Sequence, residues 1–154
     1  MRTILLSFSP RYYEILRSGA KVFEYRKRFC NEKVRAYIYL GKPIQQISGI
    51  AILDKRIDLS SWYEEYNDIE IRKRIIDFQT KNKYAMPILE FQEIEPINIS
   101  EVKRVFPDFY IPLSFRNLDS GDKLTEYIEN RTIKKGQRIL HKFTEIDPNR
   151  ICEM

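Results

Sequence analysis

The chain has 154 residues, 43% of them hydrophobic and 13% aromatic, enough to bury one real core and too hydrophobic for a disordered segment. No apolar run approaches the roughly 18 residues of a membrane-spanning helix, and the opening MRTILLSFSPRYYEI lacks the small-residue cleavage site of a secretion signal. Twenty-seven basic side chains against 22 acidic ones leave a net charge of +5.

TILLSF (3–8) reads as a short strand. Ser9 and Pro10 then supply an N-cap and a first-turn proline for a helix through RYYEILRSG, with Tyr12, Ile15 and Leu16 on one face and Gly19 as its stop. Residues 21–28 read as a strand. So do residues 34–41, where Val34, Ala36, Ile38 and Leu40 alternate with Arg35, Tyr37 and Tyr39. Residues 46–57 form a further strand, apolar on both faces at its centre, in which Gly49 marks a bulge or a close backbone approach. Helical spacing covers LSSWYEEY and NDIEIRKRIIDFQTKN (59–82), read as two helices, with Trp62 in the core and Ile69, Ile76 and Phe78 as packing residues. A strand follows over 84–99. Ser100 opens a short helix that Pro107 ends, and a last helix lies near 119–130, capped by Asp119 or Ser120.

This order, with few βαβ crossovers, predicts an α+β fold: a small, mostly antiparallel curled sheet or barrel with helices packed outside. One domain is expected over 1–154, with a core of about 1–96 and a helical, basic extension over about 97–154. Cys30 and Cys152 are isolated and the chain has one histidine, His141, so no zinc site, other metal or cofactor is expected. With no secretion signal, both thiols are expected to be reduced in a cytoplasmic protein.

Two stretches carry chemistry. The first, SGAKVFEYRKR (18–28), fits G-x-K-x-x-E-x-R through Gly19, Lys21, Glu24 and Arg26. On a regular strand Glu24 and Arg26 share one face, and Lys21 joins them only if the turn after Gly19 breaks the alternation. The group is either a polar cleft wall or a set of ordinary surface ion pairs. If a cleft, truncating Arg26 is expected to weaken ligand binding at little cost in stability. The second stretch, RTIKKGQRILHK (131–142), holds Arg131, Lys134, Lys135, Arg138 and Lys142 and no acid. It is either a nucleic-acid-binding stripe or a solvated basic tail with His141 on its surface. Ser9, just before the first helix, is an anion ligand or a simple cap, and Tyr37 and Tyr39 are base-stacking or packing residues.

The succession of strand, helix, glycine stop and motif strand, continued by YIYLG and ISGIAIL, resembles the ASCH domain family of the PUA-like superfamily over roughly 2–96. The resemblance implies a β-barrel with a cleft beside the motif and an RNA or nucleoside-like ligand. It makes Lys21, Glu24 and Arg26 the cleft residues, with Gly19 shaping the turn. Some small relatives resemble amidohydrolases of acylated cytidine, in which a threonine stands where this chain has Glu24. A hydrolase here would instead use Glu24 as general base and Lys21 on the oxyanion side. The expected function is therefore binding of RNA or a modified nucleoside. The alternatives are such an amidohydrolase, or a nucleic-acid-associated regulator acting through 131–142. No membrane partner is expected, and the oligomeric state stays open.

Overall fold

The computed structural model describes residues 1–153. In chain order its elements are β1 (Arg2–Phe8), a 3-10 turn (Pro10–Tyr12), α1 (Tyr13–Arg17), β2 (Phe23–Arg26), β3 (Val34–Leu40), β4 (Gln46–Leu53) and β5 (Ile57–Asp58). Then come α2 (Leu59–Glu65), α3 (Ile69–Gln79), β6 (Tyr84–Asn98), α4 (Ile99–Val105), β7 (Phe115–Asn117), α5 (Lys123–Asn130), β8 (Ile139–Leu140) and a 3-10 turn (Pro148–Arg150). The eight strands form one curled half-barrel sheet in the order β2-β6-β4-β3-β1-β7, with β5 and β8 also paired to β6. The fold is α+β, as the sequence predicts, with β1–β3 as a parallel pair among antiparallel neighbours.

The 15-residue β6 is the spine of the sheet. Its first residues pair with β2, from Phe23↔Pro87 to Arg26↔Tyr84, and its remainder pairs with β4. The motif strand is thereby hung at one end of the sheet, and both faces of the sheet are covered. Ile4, Leu6, Ala36, Ile38, Met86 and Phe91 pack on one face with Leu16 of α1. Leu5, Tyr37, Tyr39, Ile47 and Ile97 pack on the other under α4 and α5. A third cluster joins Phe23 and Tyr25 of the motif strand to Leu59, Trp62 and Ile75 of α2 and α3 and to Ile151 near the C-terminus.

Two-sided burial selects packing over base stacking for the two tyrosines of β3. Tyr37 and Tyr39 do not face a polar surface; they are 0% and 3% exposed. The Tyr37 hydroxyl is satisfied by Thr132 Oγ1 at 3.0 Å and Arg35 Nη2 at 3.3 Å, which makes its burial tolerable. The segment 59–82 is two helices, with Asp68 capping the second through Ile71 N at 3.0 Å. That start places Ile75 (0% exposed) on the inner face and Ile71 and Phe78 beside it, while Ile69 (73%) and Ile76 (51%) point outward, contrary to expectation. The last helix is capped by Asp122, whose carboxylate accepts from Leu124 N, rather than by Asp119 or Ser120.

The region beyond residue 96 is more than an appendage to the sheet. β7 pairs with β1 at Leu5↔Arg116, and β8 pairs with β6 at Phe91↔Ile139. Neither strand exceeds three residues, too short for an alternating pattern to mark them. Among the described residues no helix is long and apolar enough to cross a membrane.

Gly49 is a close-approach glycine, as expected. A Cβ built there would stand 2.5 Å from the Phe91 ring, and the β4–β6 register shifts between Ile47 and Gly49. Gly49→Ala therefore has to displace Phe91 out of the first cluster. Chemical denaturation of that variant is expected to show a loss of about 1–3 kcal/mol, the usual cost of overpacking a core.

Candidate functional site

The motif begins where α1 stops. Gly19 has φ +84°, a left-handed conformation that a side chain strains, and its N–H donates to Leu16 O at 3.2 Å. The chain reverses, Lys21 N donates to Ile15 O at 2.8 Å, and β2 does not begin until Phe23. Lys21 therefore lies outside the strand alternation, and its ammonium reaches the same carboxylate that Arg26 reaches from within the strand.

Glu24 is the centre of the group. Its Oε1 accepts from Tyr25 N at 2.9 Å and stands 3.6 Å from Lys21 Nζ, while its Oε2 accepts from Arg26 Nη2 at 3.1 Å. Lys21 and Glu24 are each 7% exposed. Buried charges persist when paired and hydrogen-bonded, and here one carboxylate meets two cations and a backbone N–H. Lys21 also lies 5.3 Å from the centre of the Tyr25 ring. Burial pushes the Lys21 amine below its ordinary lysine value; the Glu24 carboxylate opposes this and Arg26 adds to it. Arg26 donates further to Ser7 O at 2.7 Å, which ties β2 to β1.

Lys21, Glu24 and Tyr25 form one wall of a cavity of about 470 Å³. Tyr12 lines it from the 3-10 turn, Asp77 and Phe78 from the end of α3, Thr80, Lys81 and Asn82 from the turn after it, and Glu153 from the C-terminal segment. Its ionisable lining is mixed: Lys21 and Lys81 against Glu24, Asp77 and Glu153. Arg26 is not part of the lining, because its guanidinium is turned back to Ser7 and Glu24. The structure thus brings Lys21 and Glu24 to an open cavity and places Arg26 behind them. Thr80, Lys81 and Asn82, in the turn between α3 and β6, carry no motif that sequence reading would select.

The C-terminal segment closes over the same corner. Arg150 Nη2 donates to Ala20 O at 2.5 Å and Cys152 N donates to Tyr25 Oη at 2.8 Å. Cys30 and Cys152 are free thiols, and burial pushes the Cys152 thiol up to about 12. His141 is not a surface residue of a loose tail. Its Nδ1 lies 2.8 Å from Ile88 O and its Nε2 lies 2.9 Å from Gly19 O, so the ring fastens the strand region around β8 to the motif turn.

The remaining sequence candidates are dispersed. Ser9 is exposed, and its Oγ accepts from Arg11 N at 3.3 Å, the geometry of a cap. Tyr39 is packed in the second cluster, which covers its ring and removes it as a stacking platform. In the basic stretch, Arg131 binds Glu101 through Nε at 2.5 Å and Nη2 at 2.8 Å, and Tyr127 donates to the same carboxylate at 2.6 Å. These donors hold the Glu101 carboxyl at about 2. Arg138 stands 3.8 Å from Glu90, and Lys134, Lys135 and Lys142 are exposed. The backbone here is anchored, with Lys135 N donating to Glu93 O at 2.9 Å. Among the described residues no group of three or more His, Cys, Asp or Glu is placed to hold a metal ion.

Comparison with known proteins matches this architecture. The crystal structure of ASCH from Zymomonas mobilis superposes with a TM-score of 0.63 at 23% identity, covering 85% of this chain and 96% of that one. A serine-to-alanine mutant of the same protein gives a TM-score of 0.66 at 22% identity, with 85% and 96% covered. A protein of Zymomonas mobilis subsp. mobilis named "ASCH domain-containing ribonuclease" is 25% identical over 122 residues, 71% of this chain and 80% of its own. The chain folds as an ASCH domain. No family model matches it.

Within this ASCH fold, the contacts of Arg26 reverse one sequence expectation. Arg26→Ala removes a guanidinium shared by Glu24 and the Ser7 carbonyl, leaving a buried carboxylate short of a partner. Thermal or urea unfolding of Arg26→Ala is expected to show a loss of about 1–3 kcal/mol, rather than a neutral change.

Proposed function

We propose that this ASCH domain binds RNA and seats one nucleoside unit in the cavity walled by Lys21 and Glu24. The observation that carries the reading is the buried Lys21–Glu24–Arg26 cluster opening into a polar cavity. Its volume of about 470 Å³ falls within the usual range for small-ligand sites, about 300–1,000 Å³. Among the described residues three donors approach Glu24, two at Oε1 and one at Oε2, and a carboxylate offers about four acceptor positions, which leaves Oε2 one to offer a ligand N–H or O–H. A base edge or a ribose 2′-hydroxyl supplies such a donor, and the hydroxyl distinguishes RNA from DNA. Tyr12, half-buried in the lining, offers an aromatic face for a base. The name of the Zymomonas mobilis relative, a ribonuclease, supports RNA as the ligand class.

That name also favours a second reading, strand cleavage, and one observation here agrees with it. Burial lowers the Lys21 amine below its ordinary lysine value, which makes its ammonium a better proton donor. In such a step the 2′-oxygen bonds to phosphorus as the P–O5′ bond breaks. The 2′ proton passes to the free lone pair of Glu24, and the Lys21 ammonium protonates the departing 5′-oxygen. Amide hydrolysis of an acylated cytidine ranks lower, since Glu24 replaces the hydroxyl that the resemblance assigns to hydrolytic relatives.

The test is fluorescence anisotropy with a labelled oligouridylate of about eight nucleotides, a length within known single-strand site sizes. Lys21→Met retains the side-chain volume and removes the charge. We expect it to weaken binding about tenfold or more, the equivalent of one charge-assisted hydrogen bond. Unchanged affinity in folded Lys21→Met contradicts the reading. Electrophoresis of the same samples decides cleavage: shortened products from the parent and intact RNA from Lys21→Met support it, and intact RNA from both rejects it.

A further inference from the structure

A second cavity, of about 610 Å³, adjoins the first along Thr80, Lys81 and Asn82, which line both. It lies between the loop after β2, the start of α2 and the turn into β6. Its ionisable lining differs from that of the motif cavity. Lys27, Arg28, Arg56, Lys81 and Lys83 contribute five cations, and no lining residue is acidic. None of the five takes part in a salt bridge among the described residues.

The floor beneath these cations is aromatic and buried. Tyr84, 8% exposed, lies beneath them, with the Arg56 guanidinium 4.2 Å and Lys83 Nζ 5.4 Å from its ring centre. Arg56 Nη1 also donates to Phe29 O, which pins that side chain in place. Lys83 N donates to Arg26 O at 3.0 Å, and Leu59 N to Lys83 O at 3.0 Å, so the groove is built on the sheet end that carries the motif. Lys27, Arg28, Lys81 and Lys83 are exposed.

We infer that this groove is the phosphate track of the RNA site: it holds the phosphodiester backbone of a single strand whose nucleoside unit enters the adjoining motif cavity. The inference rests on the RNA reading above and sharpens its substrate class from nucleoside to strand. The charge partition carries it. The motif cavity, with three carboxylates against two lysines, suits a base and its ribose and disfavours a run of successive phosphates. The groove, with five cations and no acid, favours successive phosphates and not a neutral base. Lys81, on the lip common to both, marks where the strand passes from one to the other.

The experiment compares the parent, the triple variant Lys27→Gln/Arg28→Gln/Lys83→Gln and Lys21→Met, using oligouridylates of about three and about eight nucleotides over a salt series. Each phosphate contact on a single strand contributes about 0.7 to the slope of log affinity against log salt, so the triple variant is expected to lose up to about 2 from that slope. It is also expected to lose the affinity that the parent gains between the short and the long oligomer. Lys21→Met is expected to weaken both oligomers while keeping the parent's salt slope. A folded triple variant with the parent's affinity and slope overturns the phosphate track and leaves the motif cavity reading standing. Loss of slope in the triple variant with no effect of Lys21→Met supports the track and removes the motif cavity. A parent that binds neither oligomer at low salt overturns both.

Discussion

A carboxylate that folding takes out of water has to be given cations, and that requirement on Glu24 organises the motif end of the molecule. Glu24 stands on a four-residue strand, 7% exposed, with Arg26 two positions along the same face. Arg26 reaches only Oε2, and the second cation comes from outside the strand. Gly19 in a left-handed conformation lets the chain turn from α1 so that Lys21 arrives at Oε1. The same constraint reaches across the sheet, because Arg26 also binds Ser7 O on β1. It reaches the chain terminus as well, where Arg150 and Cys152 bond to Ala20 and Tyr25. The motif is thus a structural knot that ties β2, β1 and the C-terminal segment together.

The sequence made this corner legible because its determinants are local. Gly19, Lys21, Glu24 and Arg26 fall within eight positions, and the short-range rules of helix termination and strand alternation apply to them directly. The outcome for Lys21 depended on whether the glycine turn broke the alternation, and it does. The segment 59–82 shows the opposite case. Its apolar residues allow more than one helical stripe, and the choice of Ile71, Ile75 and Phe78 over Ile69 and Ile76 depends on Asp68 capping a second helix. Tyr37 and Tyr39 likewise look polar-facing beside Arg35, until α4 and α5 cover that side of the sheet.

Charge density along the chain and charge density in space are different quantities here. Residues 131–142 are the most basic run of the sequence, yet Arg131 is neutralised by Glu101, Arg138 faces Glu90, and the backbone is stitched to β6. The cationic groove is assembled from three separated places, at 27–28, 56 and 81–83, the first of them the end of the motif stretch. Pairing of β2 with β6 at Arg26↔Tyr84 brings the first and last together. No scan of local composition finds such a site, because strand pairing creates it. His141 has the same origin: isolated in sequence, it becomes the link between Gly19 and Ile88 once the chain returns beside β6.

The central claim is that RNA contacts the motif corner and the groove beside it, and not the basic run near the C-terminus. Titrating isotopically labelled protein with a short oligouridylate and following backbone amide shifts tests this directly. The largest shifts are predicted to fall at 21–28 and 80–84, with residues 134–142 changing little. Shifts concentrated at 131–142, with the motif residues unmoved, would contradict it.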